Sequence, residues 1–248
     1  MASVTAKYPD QRTDGMTLRY VPWVITKPAA LFARVEDTGA YGPALVVLLL
    51  FVVLIGYAQV QTGLIDRVVD QQTEAKLAEL EKAQYGLVDK LDLKDQMDGI
   101  RKSGQFMKMI ERLGAVVISP LWMLTTFLVI SAVLYAAVAL TGRKPEWHTL
   151  MSICVYAGFV DLLAYVLRLG MMLAYKTTQV DTSLRMLTEP GKPSPWAGLD
   201  PFRIWFWVLV VIGLTTTRQL SRRAALVTCS MMLILATAAQ IGLEYLPK

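Results

Sequence analysis

Residues 42–60 read GPALVVLLLFVVLIGYAQV, a stretch with no charge and almost no polar side chain. Crossing the ~30 Å hydrocarbon core of a bilayer takes roughly seventeen to twenty-five residues of helix, and this stretch is long enough. Pro43 suits the first turn, where its missing N–H is not needed. We read 42–60 as span one. Four more blocks follow the same pattern. Residues 113–140 form span two, with Pro120 near its start as a kink or a boundary mark, and 149–175 form span three. Residues 204–217 carry no charge, and Arg203 can snorkel, which extends span four to 202–218. Residues 224–243 form span five. The fold expected is all-α, a polytopic membrane protein with five transmembrane helices.

Composition agrees with this reading. Of 248 residues, 54% are apolar and 18% charged, and the charge is concentrated between the blocks. Cys154 and Cys229 both lie inside spans, so they read as small packing residues. With one histidine there is no zinc set, and no metal or cofactor is expected. The pI near 9.2 could suggest nucleic acid, but the placement of the basic residues points to topology instead. The first block starts about forty residues in and lacks a small-residue cleavage site, so it reads as a retained anchor.

Lysine and arginine set the orientation. With the N-terminus inside, segments 1–41, 141–148 and 218–223 hold ten basic and five acidic residues. The outer segments 61–112, 176–200 and 244–248 hold thirteen basic and fourteen acidic residues. Both short turns, TGRKPEWH (141–148) and RQLSRR (218–223), are basic and fall inside. The expected arrangement is a multi-pass protein of a bacterial inner membrane, N-terminus cytosolic and C-terminus outside.

Residues 61–112 are rich in Glu, Lys, Gln, Ala and Leu and contain no proline, which is helix composition. Asp98–Lys102 and Lys108–Glu111 are spaced to pair along a helix. Ile65, Val68, Val69, Leu77, Leu80, Leu87, Val88 and Leu91 give an irregular apolar stripe, with Gly86 and Gly99 as natural breaks. The segment predicts a water-exposed helical hairpin whose last helix runs from about Gly99 into span two. It is a spacer, or a docking surface for a partner outside the membrane.

Asp161 and Arg168 are the most informative residues in the spans. A charge at mid-membrane costs on the order of 2.5–3.5 kcal/mol, so it is usually buried and paired. Seven residues apart, the two share a helix face about 10.5 Å apart along the axis. Each needs a partner from elsewhere. They form a packing clamp, a contact with another subunit's helix, or, with Arg203, a polar path. Small residues recur at i,i+4 in Ala132/Ala136, Gly170/Ala174 and Ala238/Gly242, a spacing that lets helices approach closely. Met171-Met172 and Met231-Met232 read as core filler.

Residues 22–35, PWVITKPAALFARV, suit a short interfacial helix, capped by Thr26 with Pro28 in its first turn. Leu31 and Phe32 with Lys27 and Arg34 suit a helix lying on the inner membrane surface, as a plain anchor or as a dock for cytosolic partners. Trp147 sits in an aromatic belt and His148 beside it faces water. There is no Walker loop, HExxH or GxSxG in the chain, and no enzyme is expected.

Several of these residues form a shared pattern. Pro28 and Phe32 come before the first span, and a long charged segment separates spans one and two. Pro120-Leu121 opens a span that ends in a Leu-Thr-Gly turn, and Tyr156-Ala157 lies early in span three. Leu199-Asp200-Pro201-Phe202-Arg203-Ile204-Trp205 opens span four, with Gly213 further on. Across about 22–243 the chain resembles the bacterial branch of the Yip (Ypt-interacting protein) family. The resemblance implies five spans with a cytosolic N-terminus. It carries over no catalytic residue. Eukaryotic members of the family are membrane-traffic factors that bind small GTPases; bacterial members are linked with MacB-type ABC exporters and periplasmic adaptors. The long 61–112 segment departs from shorter relatives. The resemblance implies a non-catalytic subunit that sits in the lipid bilayer with an ABC permease, its ATPase and an adaptor. The other reading is an oligomeric transporter or channel that uses Asp161, Arg168 and Arg203.

Overall fold

A computed structural model describes residues 18–35, 39–84, 90–175 and 200–244. Among these residues there is no strand. Two short helices, α1 (Trp23–Thr26) and α2 (Pro28–Phe32), precede α3 (Gly42–Gln61). Then come α4 (Leu64–Gln84), α5 (Lys90–Leu113), a π-helical turn at Gly114–Ile118, and α6 (Ser119–Leu140). The chain continues through α7 (Trp147–Ala157), α8 (Phe159–Tyr175), α9 (Pro201–Thr216) and α10 (Arg222–Glu244). Among the described residues four helical runs are long and apolar enough to cross a membrane: Gly39–Gln61, Leu93–Leu140, Trp147–Tyr175 and Arg222–Gly242. Pro201–Thr216 is apolar but shorter. The protein is an all-α polytopic membrane protein, as its hydropathy pattern predicts. The Pro/Gly-rich stretch 176–199 and Gly86 lie outside the described residues.

The chain divides into two compact units. The first draws on Met1–Val47, Phe127–Val160 and Ile204–Leu235. Its centre is α7, buried at every position from Thr149 to Ala157. Around it α6 presents Phe127, Ser131, Leu134 and Val138, all buried and spaced as one helix face. From α9 come Leu209, Val210, Gly213 and Leu214. Leu31 and Phe32 are fully buried here too. They are packing residues of this unit, not a membrane-facing stripe, which corrects the sequence reading. The spacing that suits an interfacial helix suits one pressed into a core equally well. Thr26 ends α1, and its hydroxyl donates back to the Pro22 carbonyl. The cap of α2 is Lys27, with Pro28 at the first helical position. Arg34 donates to the Tyr20 hydroxyl at 2.8 Å and lies over the Tyr20 and Trp23 rings, which ties this segment to itself.

The two short basic turns meet. Arg143 donates to the Arg218 carbonyl at 2.6 Å, and the Gln219 amide donates to Glu146 at 2.9 Å. Thr149 donates to the same Glu146 oxygen. Arg218 holds a left-handed φ of 59°, which costs roughly 1–2 kcal/mol for a residue with a Cβ, and these bonds offset it. Thus α9 runs antiparallel to α7 in this unit: Gln219 lies at Glu146, and Gly213 lies against Ile153. Exposed His148 stacks on Tyr41, with ring centres 6.1 Å apart.

The second unit draws on Leu48–Thr126, Asp161–Arg203 and Ala236–Lys248. In it α4 and α5 form the expected antiparallel hairpin. Lys108 binds Asp70 at 2.7 Å, Arg112 binds Asp66 through two donors, and Gly104 abuts Thr73. The seam is lined by Val69, Leu77 and Leu80 on α4 and by Leu93, Met97 and Ile100 on α5. Gly99 does not break the helix. It sits inside α5, where a helical glycine costs only about 1 kcal/mol and neighbouring turns carry it. Of the pairs expected along α5, Asp98 meets Arg101 at 3.8 Å, and Lys108 reaches across to α4. The Arg112 hydrogen bond holds the Asp66 carboxyl below the usual carboxylate range. That contribution to hairpin stability is therefore present above the ordinary carboxylate pKa and fades as pH falls through the lowered one.

Between α3 and α4 only Thr62 and Gly63 intervene, and Gly63 takes the left-handed φ of 65° that ends a helix. α5 passes into α6 without a loop. Pro120 has no N–H to return, and the π turn lies immediately before it. There Ser119 donates its hydroxyl to the Gly114 carbonyl at 3.0 Å. The opened turn rests on α3: a Cβ at Gly56 would collide with the Ala115 carbonyl oxygen.

The small-residue pairs predicted to mediate packing do not do so in this chain. Ala132, Ala136, Gly170, Ala174, Ala238 and Gly242 are all exposed, and so is Met231. Close approach occurs instead at isolated glycines. A Cβ at Gly158 would collide with the Phe127 ring, and one at Gly213 would lie 2.6 Å from the Ile153 side chain. Lipid offers little hydrophobic drive between helices, so such contacts carry much of the packing energy. Gly158→Val and Gly213→Val are therefore expected to destabilise by about 1–3 kcal/mol. The thermal midpoint in detergent should fall by roughly 2–4 °C per kcal/mol. Gly170→Ala, with nothing within 4 Å of its Cβ, should leave the midpoint unchanged.

Candidate functional site

The second unit holds the charges that the sequence places within the spans. α8 carries Asp161 and Arg168 two turns apart, so they share a face without touching. Asp200 stands just before α9 and has two tasks. Its Oδ1 accepts the Phe202 N–H at 2.9 Å, the bond of an N-cap. Pro201 fills the first helical position, where no donor is missed. Asp200 Oδ2 lies 3.7 Å from Nη2 of Arg168. The Asp-Pro-Phe sequence thus starts α9 and supplies the partner that Arg168 requires. Three residues on, Arg203 donates to the Gln240 side chain of α10 at 3.1 Å. Asp161 is half-buried and within electrostatic range of Arg203, Arg168 and Asp200. Tyr165, one turn further along α8, lies in the same field.

The cluster holds two carboxylates and two guanidinium groups, so its formal charges balance. Leaving one buried charge without its partner costs several kcal/mol, whereas the paired set holds its geometry. What the arrangement does chemically is to tie α8, the start of α9 and α10 together through polar side chains. The structure brings Asp161, Arg168 and Arg203 into one neighbourhood, and Asp200 and Gln240 complete it.

Tyr165, Gln240 and the partner role of Asp200 escaped the sequence reading. Gln240 bears no charge and sits inside an apolar block, so a search for charges passes over it. Asp200 did carry a signal, since aspartate before proline is a helix start.

The remaining motif residues are architectural. Pro28 opens α2 and Phe32 is fully buried. Trp205 is half-buried, and Gly213 admits Ile153. Leu199 lies outside the described residues. No group of three or more His, Cys, Asp or Glu side chains that could hold a metal ion occurs among the described residues.

An all-α polytopic chain, with a helical hairpin between its first two long apolar helices and an Asp-Pro-Phe-Arg helix start, defines the class. The Yip1 domain family model matches residues 24–243, nearly the whole chain. The chain belongs to that family. No curated protein and no solved structure matches it.

Asp200→Asn keeps a cap acceptor and removes the charge, whereas Asp200→Ala removes both. The alanine form should be less stable than the asparagine form by about 1 kcal/mol, the worth of a cap. In an Arg168→Met background the cost of Asp200→Asn should shrink, because the pair is already gone. If thermal unfolding shows the same cost in both backgrounds, the ion pair is not what Asp200 contributes.

Proposed function

We propose that this protein is a non-catalytic membrane subunit or scaffold. Its five spans would pack against a MacB-type ABC exporter permease, and its α4–α5 hairpin would hold a periplasmic adaptor. The observation that carries this reading is the hairpin. It is far longer than a link between adjacent spans requires, it is fixed at its base by two ion pairs, and its open outer surface is polar except in the last turns of α5, where Phe106, Met109 and Leu113 are exposed. The balanced polar cluster supports a structural part for the intramembrane charges. The transporter reading has less support, since Arg168 with Asp200 and Arg203 with Gln240 engage one another.

The topology belongs to the proposal. At sixteen residues α9 rises about 24 Å, short of the ~30 Å core, and Arg203 and Arg218 can snorkel at its ends. The contact between the 141–146 and 217–221 turns puts both at one end of the first unit. That supports α9 as a crossing helix, since the chain must return after α7 and α8. Both turns are basic and so face the cytosol of a bacterial inner membrane, which leaves the C-terminus outside.

A phosphatase fused after Lys248, active only outside the cytosol, should be active, and a fluorescent protein that folds only in the cytosol should stay dark there. The opposite pattern would remove α9 as a span. For the function itself, native protein extracted in mild detergent should bring down an ABC permease with its ATPase, together with an adaptor. A chain with 64–113 replaced by a short linker should keep the permease and lose the adaptor. Recovery of the native protein alone would end the scaffold reading.

A further inference from the structure

The two basic turns that meet at one end of the first unit leave their charge unbalanced. They and the start of α10 carry Arg143, Lys144, Arg218, Arg222 and Arg223, all exposed, against the single carboxylate of Glu146. That carboxylate is already engaged by Thr149 and Gln219. None of the five cations has an ion-pair partner among the described residues. Arg143 is oriented by a backbone carbonyl, that of Arg218, which fixes the guanidinium without neutralising it. α10 has no acidic residue in its first turn to offset Arg222 and Arg223.

Beneath this charge lies an apolar track. Steps of four residues stay on one helix face, and on α10 they give Arg223, Val227, Met231 and Leu235. Val227, Met231 and Leu235 are 59%, 58% and 61% exposed. From Arg223 to Leu235 a helix rises about 18 Å, close to the ~15 Å that one leaflet contributes to the hydrocarbon core. The track therefore starts at a guanidinium and runs about the length of one acyl chain. Arg222 stands next to its head, with exposed Leu226 a turn below.

We infer that this end of the first unit binds one anionic phospholipid of the leaflet that the two turns border. The phosphate sits at Arg222 and Arg223, in the positive field of the neighbouring turn, and an acyl chain lies along Val227, Met231 and Leu235. Unpaired positive charge above an apolar track selects this occupant. A zwitterionic lipid would cover the track and leave the charge unbalanced. A free anion would meet the cations and leave the track bare. A second copy docking here about a two-fold axis would set the cations against their own counterparts. The site needs only that α10 crosses the membrane, whichever leaflet the turns border.

The full-length protein in nanodiscs, studied by native mass spectrometry, tests this with phosphatidylglycerol, phosphatidylcholine, inorganic phosphate and a polyglutamate peptide as probes. Phosphatidylglycerol should be retained over phosphatidylcholine by about fivefold or more, the preference expected from one interfacial cation. Arg222→Gln combined with Arg223→Gln should remove most of that preference, and Lys102→Gln, an exposed cation on α5, should leave it unchanged. A photoactivatable phosphatidylglycerol applied to the wild type should mark peptides spanning 222–235, a readout that holds even if the double variant misfolds. Equal retention of the two lipids by the wild type, adducts mapping elsewhere, or displacement of the lipid by inorganic phosphate would overturn the inference. Displacement by polyglutamate would overturn it too, and would give the patch to an acidic segment of a partner protein.

Discussion

Hydrocarbon gives a peptide group no water to bond and a charge no counterion, so a chain that crosses it must meet both needs from its own atoms. The helices meet the first. Several side-chain hydroxyls in the apolar helices follow the same rule and return to their own backbone: Thr125 donates to the Leu121 carbonyl, Thr126 to Trp122, Thr215 to Val211 and Thr217 to Gly213. The charges meet the second need by pairing between helices. Arg168 needs a carboxylate, and Asp200 provides one while also ending the orphaned amides at the start of α9. One side chain thereby satisfies a backbone demand and an ionic demand together, which gives a physical reason for the Asp-Pro-Phe-Arg stretch to stand there.

Helix packing follows from what the same solvent withholds. Apolar side chains gain little by leaving lipid for a protein interior, so shape complementarity carries more of the association than area does. In the apolar helices close approaches occur at Gly56, Gly158 and Gly213, and in each case the neighbour occupies the space of a Cβ. Spacing along the sequence could not find these contacts. Ala132 and Ala136 have the right separation for a close face, yet α6 turns Phe127, Ser131, Leu134 and Val138 inward and leaves the alanines outside. An i,i+4 spacing says that two residues share a face. It says nothing of which way that face points.

The same limit explains what was legible in the sequence. Long charge-free runs name the crossing helices because their length is set by the bilayer and can be counted directly. The hairpin was legible from composition, and its entry into α6 from the unbroken helix-forming sequence. The pairing across the hairpin was not, since Lys108 has Glu111 within reach along its own helix but finds Asp70 on another. Asp161, Arg168 and Arg203 stood out as expensive residues. Their neighbours Tyr165 and Gln240 did not, because a neutral polar residue in an apolar block costs little enough to pass unnoticed. Leu31 and Phe32 had a surface-helix pattern but form part of a core, since amphipathicity marks a buried side without identifying what buries it.

The hairpin's attachment bears on how it could engage anything. Its first arm leaves α3 after two residues, with Gly63 fixing the turn. Its second arm is continuous with α6 and is interrupted only by the π turn that lies against Gly56. Asp66–Arg112 and Asp70–Lys108 close the two arms on each other just above that point. A hairpin on flexible tethers would lose orientational freedom whenever a partner bound it. Here that freedom is reduced by covalent continuity and by contacts at the base, so a partner of the kind proposed would lose less entropy in binding it. The docking role proposed for the hairpin rests on this attachment more than on any single exposed side chain.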